Sequence, residues 1–162
     1  MKTMNARQDQ SGYSLIEVIV SLGILTGVIL AIASMFALAQ SNVRSGRIMT
    51  EAVAIGQDMM EDMNKLSYNG LQAAIAGSTV LTTLNSFTAN TKTAGVVITD
   101  AWQANIDTKL YKGFATIKLQ PIGGVPKPAT FASGEAIRVN VEVFWTELRR
   151  GQRSVQIEGV RF

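Results

Sequence analysis

The sequence predicts an α+β fold in which one long N-terminal helix, apolar all round in its first half and amphipathic in its second, packs on a C-terminal antiparallel sheet. Three observations predict it. An uncharged, mostly apolar run extends from Val18 to Ala39. A proline-free stretch from Ser41 to Ser67 repeats its apolar residues at steps of three and four, and the last third of the chain alternates apolar and polar residues with a period of two. A helix buries a stripe and a strand buries every second residue, so these two periods describe faces that can cover one another.

As a helix, Val18–Ala39 rises about 33 Å, enough to cross a hydrocarbon core of about 30 Å. Before it stands Gly12-Tyr13-Ser14-Leu15-Ile16-Glu17-Val18, preceded by a short polar leader carrying Lys2 and Arg7 against Asp9. Glu17 is a lone carboxylate at the mouth of the apolar run, where an ionised acid is costly without a partner. A secretory signal places its small-residue cleavage site after the apolar core. Here the small residue, Gly12, comes before it. Ala31, Ala33 and Ala37 imitate a conventional site, but the helical pattern continues past them. On hydropathy alone the segment reads equally well as a plain signal anchor. Cleavage after Gly12 would instead strip the leader and leave the apolar helix on the mature chain. Glycine suits such a cut, because a backbone without Cβ can follow an extended, crowded path into a protease.

Beyond the apolar run, Ile48, Ala52, Ile55, Met59, Met63 and Leu66 fall on one helical face. Arg44, Arg47, Glu51, Asp58, Glu61 and Lys65 fall mainly on the other. Met59, Met60 and Met63 read as adaptable packing against the sheet. Tyr68-Asn69-Gly70 reads as the stop, with Asn or Gly in the left-handed conformation. A helix from about Ser14 to Ser67 would be on the order of 80 Å long. Gly23 and Gly27, four apart, are either ordinary membrane-helix glycines or the site of a close helix–helix contact.

Residues 70–109 are poor in charge and rich in Thr, Ala, Asn and Gly. Val80-Leu81-Thr82-Thr83-Leu84 and Val96-Val97-Ile98-Thr99 suggest short strands, with loop between them from Asn85 to Gly95. From Gly113 to Leu119, Phe114, Thr116 and Lys118 alternate with Ala115, Ile117 and Leu119. Pro121 to Gly134 reads as loop. Ile137, Val139, Val141, Val143 and Trp145 then form a strict apolar face opposite Arg138, Asn140 and Glu142. Leu148-Arg149-Arg150-Gly151-Gln152 predicts a hairpin turn, and Val155 with Ile157 the returning strand. The result is a three-strand meander whose apolar face covers the helix.

With 162 residues, the chain has room for one domain and an anchor. Its 15 Lys and Arg against 12 Asp and Glu are too even to name a nucleic-acid or membrane partner from charge. The absence of His and Cys removes most metal sites, catalytic triads, thiol nucleophiles and disulfides. No phosphate-binding glycine loop, Ser/Lys pair or carboxylate pair converges, so no catalytic residue, metal site or cofactor is assigned, and the chain is not read as an enzyme. Asp100, Asn105 and Asp107 offer oxygen donors but lack the glycine turn and terminal Glu of the familiar calcium loop, and read as solvated turn residues. Arg149, Arg150 and Arg153 make a basic hairpin tip that reads as solvated, with contact to DNA or an acidic partner as the lesser alternative.

The leader charge, Gly12, the hydroxyl of Ser14, Glu17 and the uninterrupted apolar run together resemble the class III signal of type IV prepilins and pseudopilins across residues 2–39. Ala- and Met-rich amphipathic helix and the segments Val143-Phe144-Trp145 and Arg153-Ser154-Val155 extend the resemblance toward PilV-like minor pilins. It implies a pilin-like fold, with a leader at 1–12, a transmembrane and filament-core segment at 13–39, and a globular domain at 40–162. It also implies a prepilin peptidase that cuts Gly12–Tyr13 on the cytoplasmic side and N-methylates Tyr13, and an assembly role for Glu17. Tyr13 stands where the family usually has Phe. The partners implied are other major and minor pilins and an inner-membrane assembly platform. The chain would cross the inner membrane once, amino terminus in the cytoplasm, before joining a pilus at the cell surface. A minor pseudopilin of a type II secretion system, in the periplasm, shares the same signal, and a bitopic membrane protein with a periplasmic binding domain is a third reading. Many major pilins kink the apolar segment with proline and brace the C-terminal region with a disulfide; this chain has neither feature.

Overall fold

Nothing between Leu15 and Lys65 breaks a helix: the stretch has no proline and is rich in Ala, Leu, Met and other helix formers. In the computed structural model, helix α1 accordingly spans Leu15–Lys65, 51 residues. The structure describes residues 14–67, 70–71, 74–75, 86–93, 96–123, 131, 136–148 and 150–162. The chain divides into two compact units, Met1–Val43 and Arg44–Phe162. Elements β1 (Phe87–Asn90), α2 (Val97–Lys109), β2 (Phe114–Ile122), β3 (Ala136–Glu147) and β4 (Gly151–Arg161) all belong to the second unit.

The strands form one four-stranded antiparallel sheet in the order β1-β2-β3-β4. Its inner face is the one the alternation specifies. Ala115, Ile117 and Leu119 of β2 and Ile137, Val139, Val141, Val143 and Trp145 of β3 are buried. Against them pack Ala52, Ile55, Met59 and Met63 of α1, with Ile48, Met60 and Leu66 partly buried at the margins. Three- and four-residue steps on the helix thus meet two-residue steps on the sheet in one core. This is an α+β arrangement. Removing a fully buried Leu, Ile or Met side chain from such a core costs about 2–5 kcal/mol.

Helix and sheet approach closely at Gly56. A Cβ there would lie 2.6 Å from Ile157 Cδ1 and 3.5 Å from Val143 Cγ2, so the missing side chain makes room for Ile157 of β4 against α1. On the outer sheet face, the register partners Phe114 and Phe144 stack with centroids 4.7 Å apart. Lys92 Nζ sits 4.8 Å from the Phe114 ring.

Several expectations need correction. The sheet has four strands, because Phe87–Asn90, expected as loop, pairs with β2 from Phe87↔Leu119 to Asn90↔Thr116. Val96–Thr99 is not a strand. Val97–Thr99 opens helix α2, which buries Thr99, Trp102 and Ile106 on one side. The β-branched run is outvoted by this three-and-four spacing, which continues to buried Leu110. Trp102 Nε1 donates to Asp62 Oδ2 at 3.1 Å and ties α2 to α1.

Strand β2 continues through Pro121 to Ile122, with Pro121 opposite Ile137. The β1 partnership ends at Leu119, so the missing Pro121 N–H removes no bond to β1. Gly70 is helical and not left-handed. Ser67 Oγ accepts its N–H at 3.1 Å, capping the segment that brings Leu71 into the core. The expected strand at Val80–Leu84 and the Tyr68-Asn69 part of the stop lie outside the described residues.

Candidate functional site

The first turn of α1 carries the residue singled out as functional. Ser14 precedes the helix, and its carbonyl accepts from Glu17 N at 2.9 Å and Val18 N at 3.2 Å. Glu17 therefore sits in the first turn, where a carboxylate faces the positive end of the helix dipole. The spacing Ser14-x-x-Glu17 is also that of a capping box. A carboxylate at this position suits the start of a helix, besides any role between chains. Its side chain is exposed. Gly12 and Tyr13 lie outside the described residues.

Past Glu17, α1 shows apolar side chains on every side. Ile19, Leu22, Leu25, Ile29, Ile32, Phe36 and Leu38 are all exposed, as are Leu15 and Ile16 before it. This is a helix long and apolar enough to cross a membrane. Its hydroxyls make no demand on such surroundings. Ser21 Oγ donates to Glu17 O, Thr26 Oγ1 to Leu22 O and Ser34 Oγ to Ala31 O, each at 2.7 Å. Backbone and hydroxyls are thus satisfied within the helix, as an apolar solvent requires. Glu17 is the one formal charge between Leu15 and Val43. Chemically, this segment can bind lipid or another apolar helix, and it offers a carboxylate to a cation near one end. A Cβ at Gly23 or Gly27 would meet nothing within 4 Å, so the pair lines an open surface of the single chain.

In the second unit, three polar arrangements hold the framework, and sequence reading found none of them. At the end of α1, Arg161 Nη1 donates to Met63 O at 2.8 Å and Nη2 donates to Leu66 O. A guanidinium thereby satisfies two carbonyls that a helix terminus leaves without intrahelical partners. At the other end, Ser45 Oγ donates to Glu147 Oε1 at 2.9 Å, and Trp145 Nε1 approaches the same oxygen at 3.4 Å. Partial desolvation raises the Glu147 carboxyl. The bonds from Ser45 and Trp145, with the charges of Arg153 and Arg150, outweigh that effect and hold it below its ordinary value.

The third arrangement joins α2 to the sheet. Thr91 is 1% exposed. Its Oγ1 accepts Ala115 N–H at 2.8 Å and donates to Gln103 Oε1 at 2.6 Å. Gln103 Nε2 donates in turn to Gly113 O at 3.0 Å and Asp107 Oδ1 at 2.8 Å. Among the described residues 86–93, Thr91 alone is buried, and a single position gives no periodic signal, which is why the motif is invisible in sequence.

Asp100, Asn105 and Asp107 are helical residues of α2 and not turn residues. No group of three His, Cys, Asp or Glu residues converges as a metal site among the described residues. Arg150 and Arg153 are exposed at the β3–β4 hairpin. There Arg150 N–H donates to Glu147 O at 3.2 Å and Gly151 takes φ 77°. Arg149 lies outside the described residues. Compared with protein-family models, curated proteins and solved structures, the chain matches none.

Proposed function

We propose that this chain is a minor pilin of a type IV pilus, cut after Gly12 by a prepilin peptidase and assembled through α1. One observation carries the reading: α1 exposes apolar side chains on all sides from Leu15 to Leu38, with Glu17 as the single charge in its first turn. A bilayer covers such a surface before assembly, and the helices of other pilins cover it afterwards. Transfer between these environments keeps the apolar residues out of water throughout, so it costs little hydrophobic free energy.

Glu17 supplies register. Cutting Gly12–Tyr13 creates a positive amino terminus four residues before the carboxylate in sequence. In apolar surroundings, the amino terminus of one subunit and Glu17 of its neighbour attract strongly. An incoming subunit that leaves either group unpaired loses about 3–5 kcal/mol. The folded second unit, an α1 segment on a four-stranded sheet, is compatible with the globular part of a pilin.

The minor assignment rests on what the chain lacks for bulk use, namely a kinking proline in α1 and any disulfide brace. Deleting the gene and counting the components of sheared filaments tests it. The expected result is loss or reduction of pili in the deletion strain, any remaining filaments consisting of a different pilin, while filaments sheared from the parent strain contain this chain at low copy beside that dominant pilin. Dominance of this chain would make it a major subunit. Absence from filaments whose assembly is unaffected would sink the proposal in favour of a secretion pseudopilin or a receptor.

A further inference from the structure

One end of the second unit collects exposed groups that the proposed function leaves unused. A series of contacts fixes how β4 and β3 run along α1. Arg161 meets Met63, a Cβ on Gly159 would meet Met60, and a Cβ on Gly56 would meet Ile157. At the far end of the series, Glu147 accepts from Ser45. Positions on β4 and α1 thus fall together, which puts the β3–β4 turn at the Arg44 end of the unit. The α2–β2 turn reaches the same end, since Thr146 N–H donates to Tyr111 O at 3.1 Å. Arg44, Lys112, Arg150 and Arg153 are exposed there, with Tyr111 57% and Leu148 84% exposed among them. Lys112 Nζ lies 5.4 Å from the Tyr111 ring centroid.

Cations interleaved with tyrosine and leucine suit a lipid headgroup layer. Guanidinium and ammonium groups attract lipid phosphate, a tyrosine ring settles at headgroup depth, and leucine reaches the acyl boundary. An acidic protein meets the same charges and can also pack on tyrosine and leucine; the membrane-length apolar run that precedes Arg44 in the chain favours lipid. The chain itself supplies a second argument. Residues 18–43 carry no formal charge, and Arg44 is the first charged residue after them. Lys2 and Arg7 before the apolar run are balanced by Arg44 and Arg47 after it, against the usual excess of positive charge on the cytoplasmic side. Arg47 pairs with Glu51 at 3.0 Å, so Arg44 is the arginine placed against that bias that a docking surface can use.

We propose that Arg44, Tyr111, Lys112, Leu148, Arg150 and Arg153 form a docking surface for anionic phospholipid headgroups, used while the subunit waits in the membrane. This rests on the reading of α1 as a membrane helix. The surface holds the folded unit to anionic headgroups, and assembly into a filament must break that hold.

The chain has no cysteine, so Gln152→Cys, at an exposed position of the same hairpin outside the proposed set, gives a single site for a fluorescent label on the protein. The labelled chain is reconstituted into phosphatidylcholine vesicles with increasing phosphatidylglycerol and floated on a density gradient. Label quenching by a headgroup-attached quencher is then recorded. Flotation at every composition is expected, with quenching that rises with phosphatidylglycerol and is reversed by high salt. Arg44→Gln or Arg153→Gln should each raise the phosphatidylglycerol needed for half-maximal quenching about fivefold, while Arg44→Lys restores the response. Flotation with quenching indifferent to phosphatidylglycerol overturns the docking surface and leaves the membrane helix standing. Failure to float overturns both. An equal response to heparin added to vesicles of phosphatidylcholine alone makes the surface a general polyanion site and overturns the lipid assignment.

Discussion

Arg161 reaches across from β4 to the end of α1 and donates to the carbonyl of Met63 at 2.8 Å, 98 positions earlier in the chain. The last strand thus closes the end of the first helix. Charge-assisted bonds of this kind contribute about 1.5–3 kcal/mol when well shielded, and partial exposure reduces that here. In a chain shortened to begin at Gln40, Arg161→Ala should lower unfolding free energy by about 1–2 kcal/mol in urea titrations. Arg161→Lys should recover only part of it, because an ammonium lacks the planar fork that serves two carbonyls. Equal stability of Arg161→Ala and the parent would remove the cap from the account.

Gly56 and Ile157 should behave as a coupled pair. An added Cβ meets the far end of a flexible side chain, while alanine gains about 1 kcal/mol of helix propensity over glycine. Gly56→Ala should therefore be close to neutral, and Gly56→Leu should cost about 1–3 kcal/mol or more through overpacking. Adding Ile157→Ala to Gly56→Leu should recover stability relative to the sum of the single changes. Strict additivity in that cycle would mean that the two residues do not share the contact.

Thr91 illustrates a buried hydroxyl whose loss leaves an orphan. Thr91→Val keeps the shape but strands Ala115 N–H, bonded at 2.8 Å to Oγ1, at a cost of about 1–3 kcal/mol. Thr91→Ser keeps the bond and should lie closer to the parent. The comparison is read by thermal unfolding, and similar losses for both variants would point to lost packing instead.

Much of this framework is legible in the residues. The helical face of Ile48, Ala52, Ile55, Met59, Met63 and Leu66 and the strand face from Ile137 to Trp145 are read correctly because each is a long run in one period. Helix α2 is misread because Val96-Val97-Ile98-Thr99 offers a short β-branched run, while the spacing Thr99, Trp102, Ile106 and Leu110 extends beyond that window. Strand β1 has four residues and gains its form from pairing with β2. Contacts such as Ser45–Glu147 are set by tertiary placement and leave no local trace. At the candidate site, Glu17 is conspicuous because a charge beside an apolar run is rare, whereas its capping-box spacing with Ser14 emerges only once the helix start is located.

The pH response of the second unit follows from Glu147. Its carboxyl is held low in the folded state, so its stabilising contribution is fully present above the ordinary carboxylate range. That contribution is lost as pH falls through the depressed folded value. Glu147→Gln should cost on the order of 1 kcal/mol or less at neutral pH, and the gap to the parent should close in acid. A gap that widens on acidification would reverse the sign of the argument.

Substitutions at Glu17 separate helix capping from assembly. Glu17→Gln keeps a side chain able to bond at the helix start but removes the charge, whereas Glu17→Leu removes both. Both variants should be processed after Gly12 and both should be missing from sheared filaments, since the charge is what an adjoining amino terminus requires. Incorporation of Glu17→Gln at parental levels would assign the residue to capping alone.

The central claim is that the apolar helix begins the mature protein, and intact-mass spectrometry of the protein purified from its native membrane tests it most directly. The account predicts a chain that begins at Tyr13, carries one N-methyl group and retains the whole of α1, with Gly12→Leu accumulating at the uncut mass. A native chain that still begins at Met1, or one cut beyond Ala39 so that the apolar helix is gone, would contradict it.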